Sequence, residues 1–506
     1  MPSTQGGNEK SRVVLIGAGI GGLTTGALLA RRGYEVLVLD QALVPGGCAS
    51  TFKRRGFTFD VGATQVAGLE PGGIHKRIFD ELEIDLPAAT PCDPACAVFL
   101  PGETEPISVW RDPEKWAIER QRQFPGSEPF WQLMTALFKA SWKFQARDPV
   151  LPPRSLWDLW QLASSVRPDT LITLPFTFMT VGDALRGYGL YENQRLRTFL
   201  DLQLKLYSQV DADETALLYA ATALGVSQEP QGLFHLKGSM QVLSDRLVEA
   251  LEKYGGKLLM RHTVEHIESS GGKATSVRIR NQKTGEVWIE PADEVIANVT
   301  VQNLVKLLGE QAPTGYKHRV DKLPPASGAF VIYLGVDQSA IPVGCPPHLQ
   351  FLYDYEGQIG ENNSLFVSVS HPGDGRAPEG KATIIASSFT DAKQWWQGEK
   401  DDYERLKQKY TEDAIARLNQ YFYLKPETII HQETATPRTF AHYTGRELGI
   451  VGGIGQRIPT FGPFGFATRT PIKSLWLVGD STHPGEGTAG VSYSALTAVR
   501  QIQASS

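Results

Sequence analysis

An α/β fold built round a parallel, dinucleotide-binding sheet is predicted by three features of the sequence. A short β-branched run, Val13 to Ile16, ends in the cluster Gly17-Ala18-Gly19-Ile20-Gly21-Gly22 and leads into a helix-length segment. A second strand, Tyr34 to Leu39, closes on Asp40, eighteen residues past Gly22. Near the other end of the chain, a further glycine cluster between Gly479 and Gly490 opens the last helix. The 506 residues include 50 glycines, above the average of roughly 7%, and these clusters hold the part of that surplus that matters. The length suggests two or three units at roughly 150 residues per domain and a core that needs no staples. A net charge of −5 argues against nucleic acid as a partner. Four scattered cysteines make no disulfide framework.

Each element follows from its local pattern. The first helix runs to about Arg32 and is stopped by Gly33. From Trp131 to Trp160 the spacing is helical and rich in aromatics: Trp131, Phe138, Trp142, Phe144, Trp157 and Trp160. Helical character continues over Asp183 to Arg197 and Ala216 to Leu224. Met240 to Tyr254 reads as an amphipathic helix stopped by Gly255-Gly256. Strands are expected at Leu258 to Ile267, Ala274 to Arg280, Val287 to Ile289 and Val295 to Asn298. A second mixed region, about Gln302 to Phe466, carries strands such as Ala329 to Leu334 and Leu365 to Val369. Ser474 to Val478 is a buried strand before the final helix to Gln503.

The first cluster has the geometry of a phosphate cradle. Gly17 permits the tight turn, Gly19 lets backbone approach a pyrophosphate, and Gly22 lets helix pack on strand. The helix N-terminus, reached through Gly21, offers free N–H groups and a partial positive charge to the phosphates. Asp40, at the end of the second strand, is placed to accept hydrogen bonds from an adenosine ribose.

Two more clusters narrow the choice of dinucleotide by resemblance. Pro45-Gly46-Gly47 resembles the second fingerprint of the two-dinucleotide-domain flavoproteins. In Phe57 to Thr64, Gly62 and Ala63 look like the pair whose backbone lies along the flavin ring. Leu477-Val478-Gly479-Asp480 and Pro484 to Val491 complete the set. There the resemblance puts Asp480 on the ribityl and phosphate end. The last helix, with Gly490 and Val491 in its first turn, points its positive end at the flavin C2 carbonyl. The cofactor implied is FAD.

Together with Gly238-Ser239-Met240, Ala297-Asn298 and Thr436-Pro437-Arg438-Thr439-Phe440, the motifs resemble the phytoene-desaturase-related flavoproteins, which include carotenoid desaturases, the prolycopene isomerase and retinol saturase. Gln41 to Gly73 and Val109 to Trp131 are most similar to the C-3',4' carotenoid desaturases of phototrophic bacteria. Many members carry Arg or Lys after the second glycine pair; here Cys48-Ala49-Ser50 stands instead, close to the isomerase branch. The resemblance implies a Rossmann-like FAD-binding domain, a mixed β-sheet substrate domain and a helical cap. It divides the chain into FAD-binding parts at 12–75, 231–301 and 471–506, a substrate domain and helical cap at 76–230, and a substrate sheet at 302–470. It also matches Val264 to the position whose backbone meets the adenine.

The implied reaction removes hydrogens from adjacent carbons of a carotenoid, a long apolar polyene, one leaving as hydride to the flavin and one as a proton. Quinone or oxygen is the expected electron acceptor, since no second G-x-G-x-x-G is visible for a nicotinamide partner. His483 and Glu486, in the flavin-facing loop, and Arg438, in the preceding family block, are the candidate catalytic residues. The alternatives are a carotenoid cis-trans isomerase on the same scaffold and a non-redox lipid or prenyl escort protein.

Met1 to Arg12 shows no secretory signal, and no run reaches the roughly 18 to 20 apolar residues of a bilayer span. The expected location is therefore the cytoplasmic side, peripheral to a membrane surface. Leu171 to Met179 reads either as a membrane-dipping entrance or as a buried hairpin or helix. His262-Thr263-Val264-Glu265-His266 copies a zinc-protease pattern that needs a helix. Here a strand is expected, which sets the histidines about 13 Å apart, so no metal site is expected.

Overall fold

The computed structural model describes residues 11–505; all of the N-terminal segment read for a signal, except Ser11 and Arg12, lies outside them. Strand Arg12–Ile16 forms the middle of a five-stranded parallel sheet. On one side lie Glu35–Asp40 and then Lys257–Met260; on the other, Glu294–Ala297 and then Leu475–Leu477. Segments more than 400 residues apart in sequence thus share one sheet. Helix Ile20–Arg31 is buried along nearly its whole length, between the sheet and helices Gln241–Lys253 and Thr488–Gln503. Such a helix cannot be amphipathic; its apolar, small-residue composition, with Gly26 against Val38 and Leu15, lets it sit in a layer covered on all sides.

The expected strand from Leu258 to Ile267 is two strands in two sheets. Lys257–Met260 ends the parallel sheet, and His262–Ser270 begins a three-stranded antiparallel sheet with Lys273–Asn281 and Val287–Pro291. Between them Arg261 turns the chain at φ 61°, its N–H donating to the Ala42 carbonyl at 3.1 Å. A left-handed residue breaks a ladder where alternation alone shows no break. His262 and His266 do lie on a strand, as expected, with a register shift between Val264 and His266.

A seven-stranded mixed sheet supports the other half of the molecule. Its order is Ile429–Ala435, Ser327–Asp337, Lys381–Asp391, Ser364–Val369, His348–Leu352, Cys96–Phe99 and Ile107–Val109. Only the pairing of His348–Leu352 with Cys96–Phe99 is parallel. Helices including Glu128–Gln145, Leu156–Ser165, Gln194–Ser208 and Leu217–Gly225 form the cap, with a core of their own around Trp131, Phe199 and Leu217. Among the described residues, no helix is long and apolar enough to cross a membrane.

Candidate functional site

A cavity of about 900 Å³ runs from the C-terminal end of the parallel sheet into the helical cap. Its first part is a backbone cradle. Gly17 holds φ 99°, and a side chain on Gly22 would lie 2.1 Å from the Gly17 carbonyl oxygen. Gly46, at φ 113°, donates its N–H to Ala18 O at 2.8 Å and forms a bridge with Gly19, so the first two glycine clusters meet. Asn298 Nδ2 donates to Gly17 O at 3.3 Å and fills the space beside Gly19, Gly21 and Gly479 that a β-carbon would occupy.

Two helices open onto this cradle, Ile20–Arg31 and Thr488–Gln503, and both start at a glycine with no side chain to cap them. Their first N–H groups and positive ends are left for an anionic ligand. Asp40 accepts the N–H groups of Ala18 and Ala42, each at 2.7 Å. A carboxylate has about four lone-pair directions, so two remain for ribose hydroxyls. Burial raises its proton affinity, and the two backbone bonds oppose that shift. Gly62, Ala63, Val264, Gly47, Gly490 and Val491 line the same cavity. Gly22 does not line it: its place is the helix–strand contact. The glycine cradle, the uncapped helix ends and Asp40 fit a dinucleotide.

Past the cradle the cavity wall becomes mainly apolar. Of the six aromatics singled out in the cap, only Trp142 and Phe144 reach it. Trp131 is core, packed edge-on to Phe130, whereas Trp160 is 64% exposed. At the junction sit Asp480, His483 and Glu486. Asp480 pairs with Arg446, a residue no motif pointed to. Burial works against the Arg446 charge, but Asp480 and neighbouring acids raise its pKa above the usual value. Arg446 also donates to Gly452 O at 2.8 Å and so ties the loop after helix Pro437–Thr444 to the cradle.

Glu486 Oε2 accepts from Gln209 Nε2 at 3.0 Å and from Gly453 N–H at 3.3 Å; Oε1 has no hydrogen-bond partner in the protein. Burial, reinforced by the Asp480 charge, pushes this carboxyl up to about 8. His483 donates from Nε2 to Gln145 Oε1 at 3.1 Å, and burial lowers it to about 4, so the ring is neutral and Nδ1 offers a lone pair. Gln209 and Gln145 both come from cap helices distant in sequence, and nothing in their surroundings announces them.

Arg438 is a correction. Its helix presents Phe440, Tyr443 and Thr444 to the cavity, while Arg438 falls on another face. There its Nε donates to Trp395 O at 2.6 Å, and its guanidinium lies 4.3 Å from the Tyr403 ring centre. It is a structural cation outside the site. Arg438→Met is expected to cost about 1 to 2 kcal/mol of stability and to leave turnover within about two-fold of the parent, checked by thermal melting beside product formation.

An NAD(P)-binding Rossmann-like domain matches residues 15–82. Over 98% of the chain and 84% of the relative's length, the sequence is 28% identical to prolycopene isomerase 2, chloroplastic, of an Oncidium hybrid cultivar. It is 25% identical to the zeta-carotene-forming phytoene desaturase of Myxococcus xanthus, over 99% of the chain and 94% of that protein. Nearly the whole chain is thus similar to the carotenoid desaturase- and isomerase-related flavoproteins. The fold of this flavoprotein is also that of cyclohexylamine oxidase from Brevibacterium oxydans, at a TM-score of 0.60 and 16% identity over 98% of the chain and 100% of the oxidase. Its dinucleotide is FAD. As an enzyme it is a carotenoid desaturase or isomerase.

Proposed function

We propose that this flavoprotein introduces the C-3',4' double bond into an acyclic or monocyclic carotene, working at the surface of a membrane on its cytoplasmic side. The reading rests on one observation: an apolar cavity joins the dinucleotide cradle at Glu486 and His483. Segments 12–75, 231–301 and 471–506 would then serve the cofactor, and 76–230 and 302–470 the polyene. Bound in the cradle, FAD supplies the two-electron acceptor that loss of hydride from a C–H bond requires.

The chain's own residues have three tasks. Trp142, Phe144 and the aliphatic wall exclude water and hold the polyene straight. The Arg446–Asp480 pair, tied to Gly452, fixes the junction. Glu486 takes the proton that leaves the neighbouring carbon. A carboxyl poised near 8 exchanges a proton readily close to neutral pH, and its free Oε1 is the atom that receives it. His483 is too weak a base at about 4 for that task; its bond to Gln145 orients the cap against the loop.

Incubation of the FAD-loaded protein with a lycopene-type carotene, under quinone or under air, is expected to yield a red-shifted product two hydrogens lighter. A product of unchanged mass would establish the second reading, cis-trans isomerisation, which the 28% identity to a prolycopene isomerase favours. Protein that carries no flavin and only holds the carotene would instead be an escort.

A further inference from the structure

Two segments between residues 156 and 178 are built inside out. In helix Leu156–Ser165 the buried positions include Asp158, Gln161 and Ser165, whereas Leu156 is 86% and Trp160 64% exposed, with Leu159 beside them on the same face. Over the next turns Thr170, Thr173 and Thr177 line the cavity while Leu171, Ile172 and Phe178 face outward. Of the nineteen large apolar side chains exposed among the described residues, seven fall in this stretch. Leu174 and Pro463 both line the cavity and are exposed, which marks an opening at this surface.

Beside the opening, and sharing Pro463 with it, is a shallower pocket of about 420 Å³ lined by Arg154, Arg319, Phe178, Ile458 and Phe464. Neither guanidinium has a carboxylate partner among the described residues. Asp158 holds the Arg154 backbone N–H at 2.9 Å, and the Arg154 side chain makes no hydrogen bond among the described residues. Arg319 lies 4.0 Å from the Phe466 ring centre and donates from Nη2 to the Phe464 and Gly465 carbonyls, so its other nitrogens are unused. Burial, and then the charge of Arg154, lower the Arg319 pKa. Two like charges share one pocket, set in an apolar collar. A phosphate is the group whose charge and oxygen geometry two arginine forks match, and cations above an apolar layer are the arrangement of a membrane interface.

We infer that Arg154 and Arg319 bind the phosphate of a phospholipid headgroup and so seat the cavity opening on the membrane. The inference deepens the proposed function, since it rests on a substrate that dissolves in lipid.

The test is pelleting of the FAD-loaded protein with sucrose-filled vesicles of phosphatidylcholine, with or without phosphatidylglycerol. The parent protein is expected to favour the anionic vesicles. Arg154→Gln and Arg319→Gln should each weaken that binding about five-fold, and Lys283→Gln, in the hairpin between Lys273–Asn281 and Val287–Pro291 and outside the pocket lining, should not. If Arg319→Gln folds poorly, Arg154→Gln carries the test, because Arg154 is exposed and its side chain makes no hydrogen bond among the described residues. Equal loss from Lys283→Gln would mean diffuse charge and overturn the site. Parent-like binding of both arginine variants would mean that the apolar collar alone docks, and would also overturn it. Displacement by inorganic phosphate at matched concentration would assign the pocket to a free phosphate instead. Binding to an acidic protein but to no vesicle would assign it to a protein partner. Conversion of carotene in detergent micelles is read in parallel and should be unchanged in Arg154→Gln; a parent protein inactive there but bound to vesicles would fail the reaction and keep the site.

Discussion

Gly22→Ala is expected to leave a protein that purifies colourless or fails to fold. One methyl group would stand 2.1 Å from the Gly17 carbonyl oxygen and 3.1 Å from the Asn298 side chain. The first of these contacts is backbone, inside the turn from the first strand into its helix, so no side chain can swing aside. Relief requires helix Ile20–Arg31 to lift off its strand, which also moves the N–H groups meant for the pyrophosphate. Alanine favours helix over glycine by about 1 kcal/mol. Overpacking costs roughly 1 to 3 kcal/mol and occasionally more, and a contact against fixed backbone falls at the upper end, so the clash wins. Gly187→Ala is the control. That glycine has ordinary φ and open space around it, and the substitution should be neutral or stabilising by about 0.4 to 1 kcal/mol. Flavin absorbance per mole of protein and the melting temperature read both effects. A yellow, fully loaded Gly22→Ala of parental stability would refute the close approach on which the cradle depends.

Glu486→Gln is expected to lower turnover by about 10² to 10⁴ with little change in carotene affinity. The amide keeps the shape and still meets Gln209, but it cannot accept a proton. In the parent, the rate should rise with pH through about 8 as the carboxyl ionises, and the variant should lose that limb. Stability carries the opposite signature. The folded protein holds this proton up to about 8, whereas an unfolded glutamate releases it near 4.3. The stabilisation is therefore complete below the unfolded value. It declines as pH rises and is gone once pH passes about 8. The urea midpoint of the flavin-free protein, followed from acid to alkaline pH, should fall across that window in the parent and stay flatter in Glu486→Gln. Parallel profiles, or full activity without the carboxyl, would remove Glu486 from the chemistry.

The cradle was legible because its requirements are local. A turn that excludes side chains leaves glycines in a fixed order, and Asp40 follows at the end of the next strand. The junction was legible only where it shares a loop with those glycines, as His483 and Glu486 do. Arg446, Gln209 and Gln145 are common residue types delivered from distant segments, and no spacing encodes their meeting with Asp480, Glu486 and His483. Arg438 misled because nearness to a motif was read as nearness in space; its helix turns Phe440 and Thr444 inward and sends the arginine to Trp395. Hydropathy leaves the stretch from Leu171 to Met179 open between an entrance and a buried element, because apolar residues ordinarily belong inside. Here Thr173 and Thr177 face the cavity while Leu171, Ile172 and Phe178 face out, an inversion that hydropathy alone cannot reveal.

The sheet order also dictates when the protein can acquire its colour. Strand Leu475–Leu477 and helix Thr488–Gln503 follow the first strand by more than 450 residues, yet they complete the sheet edge and the second uncapped helix end of the cradle. A nascent chain still tethered at residue 470 has four of the five strands and lacks Gly479, Asp480 and the second helix end of the cradle. Flavin capture thus waits until the segment beyond residue 474 has been made and has docked.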